Sequence, residues 1–167
     1  MERGGGAGAP DRVLLDYEGR FLRRRRLQTE AGGTLIVDLP ETTSLDDGDA
    51  LVLDTGARVA VVAAAEPLLA ISGGALPRLA WHIGNRHTPC RIEPDRLLIR
   101  EDHVLADMLR RLGARVDPLV APFTPEGGAY GHGRTMGHEQ GQDHGHGPTA
   151  DGAHTSEHTQ GHGHSHE

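Results

Sequence analysis

The chain has one cysteine, Cys90, in 167 residues. No internal disulfide can form, and such usage fits a reducing cytosol. Aromatic side chains are equally scarce: Trp81, Tyr17, Tyr130, Phe21 and Phe123 are all there are. Five rings so widely scattered do not assemble an aromatic-lined pocket for a drug-sized ligand. Positive charge is also short. Lysine is absent, every basic side chain is arginine, and the formal net charge is −7, which disfavours a nucleic-acid partner. Arg23, Arg24, Arg25 and Arg26 form the one dense basic run, read as a solvated strand edge. The opening MERGGGAGAPD has no apolar core of a signal peptide, and no stretch approaches the roughly 18 apolar residues of a membrane helix. No membrane partner and a cytoplasmic location are expected.

What the chain has in abundance is histidine, and mostly at one end. It finishes GHGHSHE, and nine of its twelve histidines lie within residues 132–167. These are His132, His138, His144, His146, His154, His158, His162, His164 and His166, strewn among Gly, Asp, Glu, Thr and Gln. The segment is too polar to offset the entropy of folding, so residues 124–167 are expected to be a disordered tether. Neutral imidazole suits Ni(II), Zn(II) and Cu(II), and histidines two apart on a flexible backbone can converge on one ion. Without cysteine there, a Cys-based structural zinc site is excluded. Scattered rather than uninterrupted histidines also differ from an expression tag. Glycine between ligands gives a loose site suited to capture and release.

Ahead of the tail the pattern changes twice. Residues 1–11 are Gly/Ala-rich and are expected to be disordered. Over residues 12–66, short apolar runs alternate with Gly or Asp breaks (VLLDY, FLRRRRLQ, TLIVDLP, ALVLD, ARVAVVAAAE), which predicts a small all-β domain. DTG at 54–56 predicts a hairpin. Over residues 67–123 the order becomes β-α-β-β-α-β. PLLAI is a strand. Leu76, Leu79, Ala80 and Ile83 mark a helix started by Pro77 and stopped by Thr88-Pro89. RIEPDRLLIR hinges two strands at Glu93-Pro94-Asp95. Asp102 can cap a second helix with an apolar stripe of Val104, Leu105, Met108, Leu109 and Leu112, ended by Gly113, and RVDPLVAPF supplies the last strand. The fold class expected is therefore α+β: an all-β N-terminal domain, a ferredoxin-like βαββαβ domain and a disordered His-rich tail.

Ligand type alone does not select nickel over zinc or copper, so selection needs a fixed site in the folded part. Three histidines are available there. His87 lies four residues after Ile83 and reads as a core or cap histidine. His82, beside Trp81, reads as structural. His103 follows Asp102 in the first turn of the second helix and should be exposed. A single imidazole is a poor metal site, but a dimer twofold would place two copies opposite each other. A Gly-rich coil of 36 residues spans about 30–36 Å, so tail histidines would reach such a site. Cys90, behind Pro89, reads as buried packing.

Three motifs then converge on one family. WHIGNRHTP (81–89), EDHVLADMLRRLG (101–113) and FTPEGGAYGHGRTMGH (123–138), followed by a His-rich tail, resemble the urease accessory protein UreE family of nickel metallochaperones. DLPETTSLDDGDALVLDTGARVAVVAAAEPLLAI (38–71) is similar to that family's amino-terminal region, so the resemblance covers residues 12–138. It implies a non-enzymatic homodimer that binds Ni(II) and inserts it during urease maturation. It implies too that His103 is the ligand at the dimer interface, with histidines near the carboxyl terminus completing or feeding the site. The implied partners are the urease accessory GTPase and the accessory complex with apo-urease. Met136 stands where many relatives have a further histidine. Two rival readings follow from the residues alone: a general Ni/Zn/Cu buffer acting through the tail, and a prolyl isomerase with a metal-binding tail. The scarcity of aromatics argues against the latter.

Overall fold

The computed structural model describes residues 1–127. Two sheet systems come first. Strands β1 (Asp11–Leu15), β4 (Ala50–Val52) and β5 (Arg58–Ala63) form a three-stranded sheet in the order β1-β5-β4. Its β4–β5 hairpin turns at the expected DTG, but β1 pairs with β5 in parallel, Asp11 opposite Val59 through Leu15 opposite Ala63. β2 (Phe21–Gln28) and β3 (Thr34–Ser44) form an antiparallel ribbon, bulged between Leu22 and Arg24. Alternation explains the packing. Leu22, Leu27, Leu35 and Val37 face inward onto Val13, Leu15, Leu51, Val59 and Val61 of the sheet, in one cluster. The four arginines of β2 stay exposed on a strand paired on one side alone, and Arg24 holds Asp38 across the ribbon at 2.8 Å.

The expected disorder of residues 1–11 is not what the structure shows. Asp49 is 2% exposed, and it gathers the amino-terminal segment around its carboxylate. Arg3 Nη1 and the backbone N–H groups of Gly4 and Asp46 donate to it, each at 2.9 Å. Composition suggested a free end because Gly/Ala runs bury little apolar surface. The anchor is a buried acceptor some 45 residues away in sequence, and composition does not register it. Gly6 is required at the same place, since a Cβ there would sit 2.8 Å from two backbone carbonyl oxygens.

The run ARVAVVAAAE, read as one strand, breaks at Ala64. Beyond it, β6 (Ala65–Ser72), β7 (Arg91–Ile92), β8 (Leu97–Arg100) and β9 (Arg115–Pro122) form an antiparallel sheet in the order β7-β8-β6-β9. Helices α1 (Leu76–Gly84) and α2 (His103–Arg111) cover one face of it. Pro77 starts α1 as expected, and Leu79 and Ile83 are its buried residues. Asp102 caps α2 by accepting from the N–H groups of Val104 (2.8 Å) and Leu105 (2.9 Å), and Gly113 takes φ +87° just past its end. Eleven buried side chains make this cluster. At about 1.5–3 kcal/mol for each large one, packing outweighs a cap of about 1 kcal/mol in holding α2 down. On the opposite face, Leu68, Leu98 and Phe123 form a second cluster, closed by Tyr17 edge-on to Phe123 at 5.4 Å. The whole is an α+β, two-domain arrangement of mixed sheets with few helices. Among the described residues, no helix is long and apolar enough to cross a membrane.

Replacing fully buried Leu109 by Ala is expected to lower unfolding free energy by about 2–5 kcal/mol, and Asp102→Ala by about 1 kcal/mol, both read from urea denaturation. Asp49→Ala is expected to leave the midpoint for the C-terminal helices nearly unchanged. It should instead speed amide exchange at Gly4 and Gly6, which an unanchored amino terminus would already show in the parent.

Candidate metal centre

His103 is the first residue of α2, and it is exposed. Its backbone position is fixed by the Asp102 cap on one side and by Leu105, Ala106 and Leu109 buried beneath the helix on the other. Those three residues set the rotation of α2 about its axis. The stripe expected from sequence was therefore displaced. Val104, placed on the buried side, is 64% exposed, while Ala106, left out of the stripe, is 3% exposed. Propensity and periodicity place Val104 and Leu105 equally well, and the depth of the sheet beneath decides between them.

The consequence is a shallow depression on the outer side of α2, lined by His103, Val104, Asp107, Met108, Arg111 and Leu112. Imidazole and carboxylate sit one turn apart on it, with Val104, Met108 and Leu112 as an apolar strip alongside. Asp107 Oδ1 accepts from Arg110 Nη1 at 3.1 Å, an exposed pair on the helix surface. Val120, 71% exposed on β9, lies four residues beyond Val116 and so shares its helix-bearing side of the sheet. Exposed apolar residues beside an exposed histidine make this side unlike an ordinary solvated helix face.

The other two histidines of the described residues divide. His82 is half-buried and stacks edge-on against Trp81 at 5.0 Å, in keeping with a structural role. His87 is neither core nor cap. Helix α1 ends at Gly84 with Asn85 as its C-cap, and His87 is exposed in the turn beyond, at φ +54°. The period that placed it on the buried side does not continue past Asn85. His87 lines a cleft of about 480 Å³ with Asp16, Glu66, Arg100, Glu101 and Asp102. That cleft draws on well-separated stretches of chain, which is why no local pattern marks it.

Cys90 is half-buried against the helix cluster, and burial pushes its thiol up to about 11. It stays protonated near neutrality, whereas a metal ligand must be thiolate. Among the described residues no three His, Cys, Asp or Glu side chains gather in a group that could hold a metal. His132, His138, His144, His146, His154, His158, His162, His164 and His166 lie outside the described residues.

Comparison with known proteins agrees across both halves of the chain. Residues 3–64 match the family model for the UreE urease accessory protein N-terminal domain, and residues 59–167 that for its C-terminal domain. The urease accessory protein UreE of Rhodobacter capsulatus is 59% identical over 146 residues, covering 87% of this chain and 93% of the relative. That of Paracoccus denitrificans is 66% identical over 123 residues (74% and 79%), and that of Cereibacter sphaeroides 62% over 129 (77% and 70%). The two models span nearly the whole chain, and it therefore belongs to the UreE family of urease accessory proteins, helpers of an enzyme and not enzymes themselves.

Proposed function

We propose that this chain is a cytoplasmic, homodimeric nickel chaperone, which collects Ni(II) through its histidine-rich end and presents it from His103 for assembly of the urease active site. The observation that carries the reading is the exposed His103 in the first turn of α2, beside the exposed Val104 and the half-buried Met108 and Leu112. One imidazole holds an ion weakly. An isologous contact that covers Val104 and Met108 would bring the same residue of a second copy opposite it and double the ligand set. The strand order β7-β8-β6-β9 with both helices on one face supports assigning this role to a ferredoxin-like domain over residues 67–123. The all-β portion over 12–66 serves beside it as a partner-facing scaffold, and the histidines within 124–167 as the collecting arm.

Nickel is cargo here, so binding must be reversible. Neutral nitrogen ligands meet that need. They bind the ion through a lone pair that a proton can take instead, so acidification favours release. The same ligands accept Zn(II) or Cu(II), so delivery to the right site depends on the receiving partners. The family resemblance supplies their identity: the urease accessory GTPase and the complex of accessory proteins with apo-urease.

Calorimetric Ni(II) titration of the intact chain, of a form truncated after Gly131, and of intact His103→Ala tests this reading. Truncation is expected to leave about one tight ion per two chains, and His103→Ala to remove that class while keeping weaker sites. A truncated protein that binds no nickel, together with an unaltered His103→Ala profile, would instead make this a general divalent-metal buffer working through its tail.

A further inference from the structure

The depression on α2 holds two groups with metal-ligand chemistry, and only one has been given a role. We propose that Asp107 is a second ligand to the ion held by His103, so that each protomer contributes a His-x₃-Asp pair; this rests on His103 being the chaperone's fixed site.

Three observations support the pair. First, α2 runs unbroken from His103 to Arg111, so residues 103 and 107 stand one turn apart with Cβ atoms about 5–6 Å from each other. Helical ligands at i and i+4 are the spacing by which a single face of a helix grips an ion. Second, both side chains are exposed and line the same depression, while Leu105, Ala106 and Leu109 lock the helix rotation from below. The pair is thus presented on a rigid element. Third, the ion pair of Asp107 is a weak one: Arg110, 52% exposed, reaches Oδ1 at 3.1 Å over three residues. An exposed pair of this kind contributes about 0–1 kcal/mol, little enough for a divalent ion to displace.

Electrostatics explains why His103 needs such a neighbour. The amino-terminal end of a helix carries partial positive charge and disfavours a cation. Asp102 offsets this only in part, and its Oδ1, which accepts from the N–H groups of Val104 and Leu105, is not offered to an ion. The Asp107 carboxylate, one turn in and facing outward, supplies negative charge at the ion itself once that ion displaces the exposed Arg110. Two copies then give two imidazoles and two carboxylates, a four-ligand set whose formal charge offsets that of a divalent metal.

The test uses the full chain and Ni(II) alone, with far-UV circular dichroism as a check on the helix. Asp107→Asn keeps the shape and removes the charge, and it is expected to weaken the tight nickel class at least 10–100-fold, the loss that removing even an outer partner of a ligand produces. Asp107→Glu should recover part of that loss. Arg110→Ala removes the ion pair but keeps the carboxylate, and it should leave nickel affinity unchanged or tighter. If Asp107→Asn stays within twofold of the parent while His103→Ala abolishes the tight class, Asp107 is a surface ion pair and this inference falls with the chaperone reading intact. An Arg110→Ala loss equal to that of Asp107→Asn would overturn it equally, by showing that the ion pair is what matters. Survival of the tight class in His103→Ala would remove both readings.

Discussion

The central sheet of the C-terminal half is buried on both of its faces, and most other features follow from that constraint. β6 carries Leu68 and Leu69 at 1% and 5% exposure on opposite sides, and β8 carries Leu97, Leu98 and Ile99 at 1%, 2% and 0%. A strand buried twice cannot alternate apolar with polar, which is why these segments read LLAI and LLI. Each face then needs its own cover. Two helices supply one. The other is closed by Phe123, Tyr17 and their neighbours, with Arg20 reaching the carbonyl oxygen of Phe123 and the Tyr17 N–H donating to the buried Glu66 carboxylate at 2.8 Å. The amino-terminal half is therefore joined to the sheet by directional bonds at the edge of a small apolar cluster. Strand β9, leading to the histidine-rich end, is secured at the same spot.

The same constraint reaches His103 through α2. Because Leu105, Ala106 and Leu109 fill the space above the sheet, the residues on the other side of the helix have no choice of direction. His103, Val104 and Asp107 must face away. Val104 accordingly stands 64% exposed beside His103 on that outer side. His103 is thereby held in place on a capped and well-packed helix.

Much of this was legible in the residues. α2 declared itself through Asp102 at one end and Gly113 at the other, and α1 through Pro77 with Leu79 and Ile83. The exposure of His103 and the edge position of the four arginines followed from local pattern too. What escaped was non-local. Asp49 fastening the amino terminus, β1 running parallel to β5, and the cleft around His87 each join stretches far apart in sequence, and periodicity contains no distances of that kind. Two local readings also failed for a tertiary reason. Val104 and Ala106 exchanged sides because packing depth, not residue type, fixed the helix rotation. His87 left the buried side because α1 stops at Gly84, three residues before it. The family resemblance pointed to His103 and the histidine-rich end, and it had nothing to say about Asp107.

Trp81 stands 64% exposed on α1, ring to ring with His82, and it is the only tryptophan of the chain. Indole emission from this protein accordingly originates on one helix surface already in contact with water. Its colour will change little when the core melts, so an optical unfolding curve would have a small amplitude. The same ring is, by contrast, well placed to report anything that settles on α1, since covering it removes solvent and quencher together.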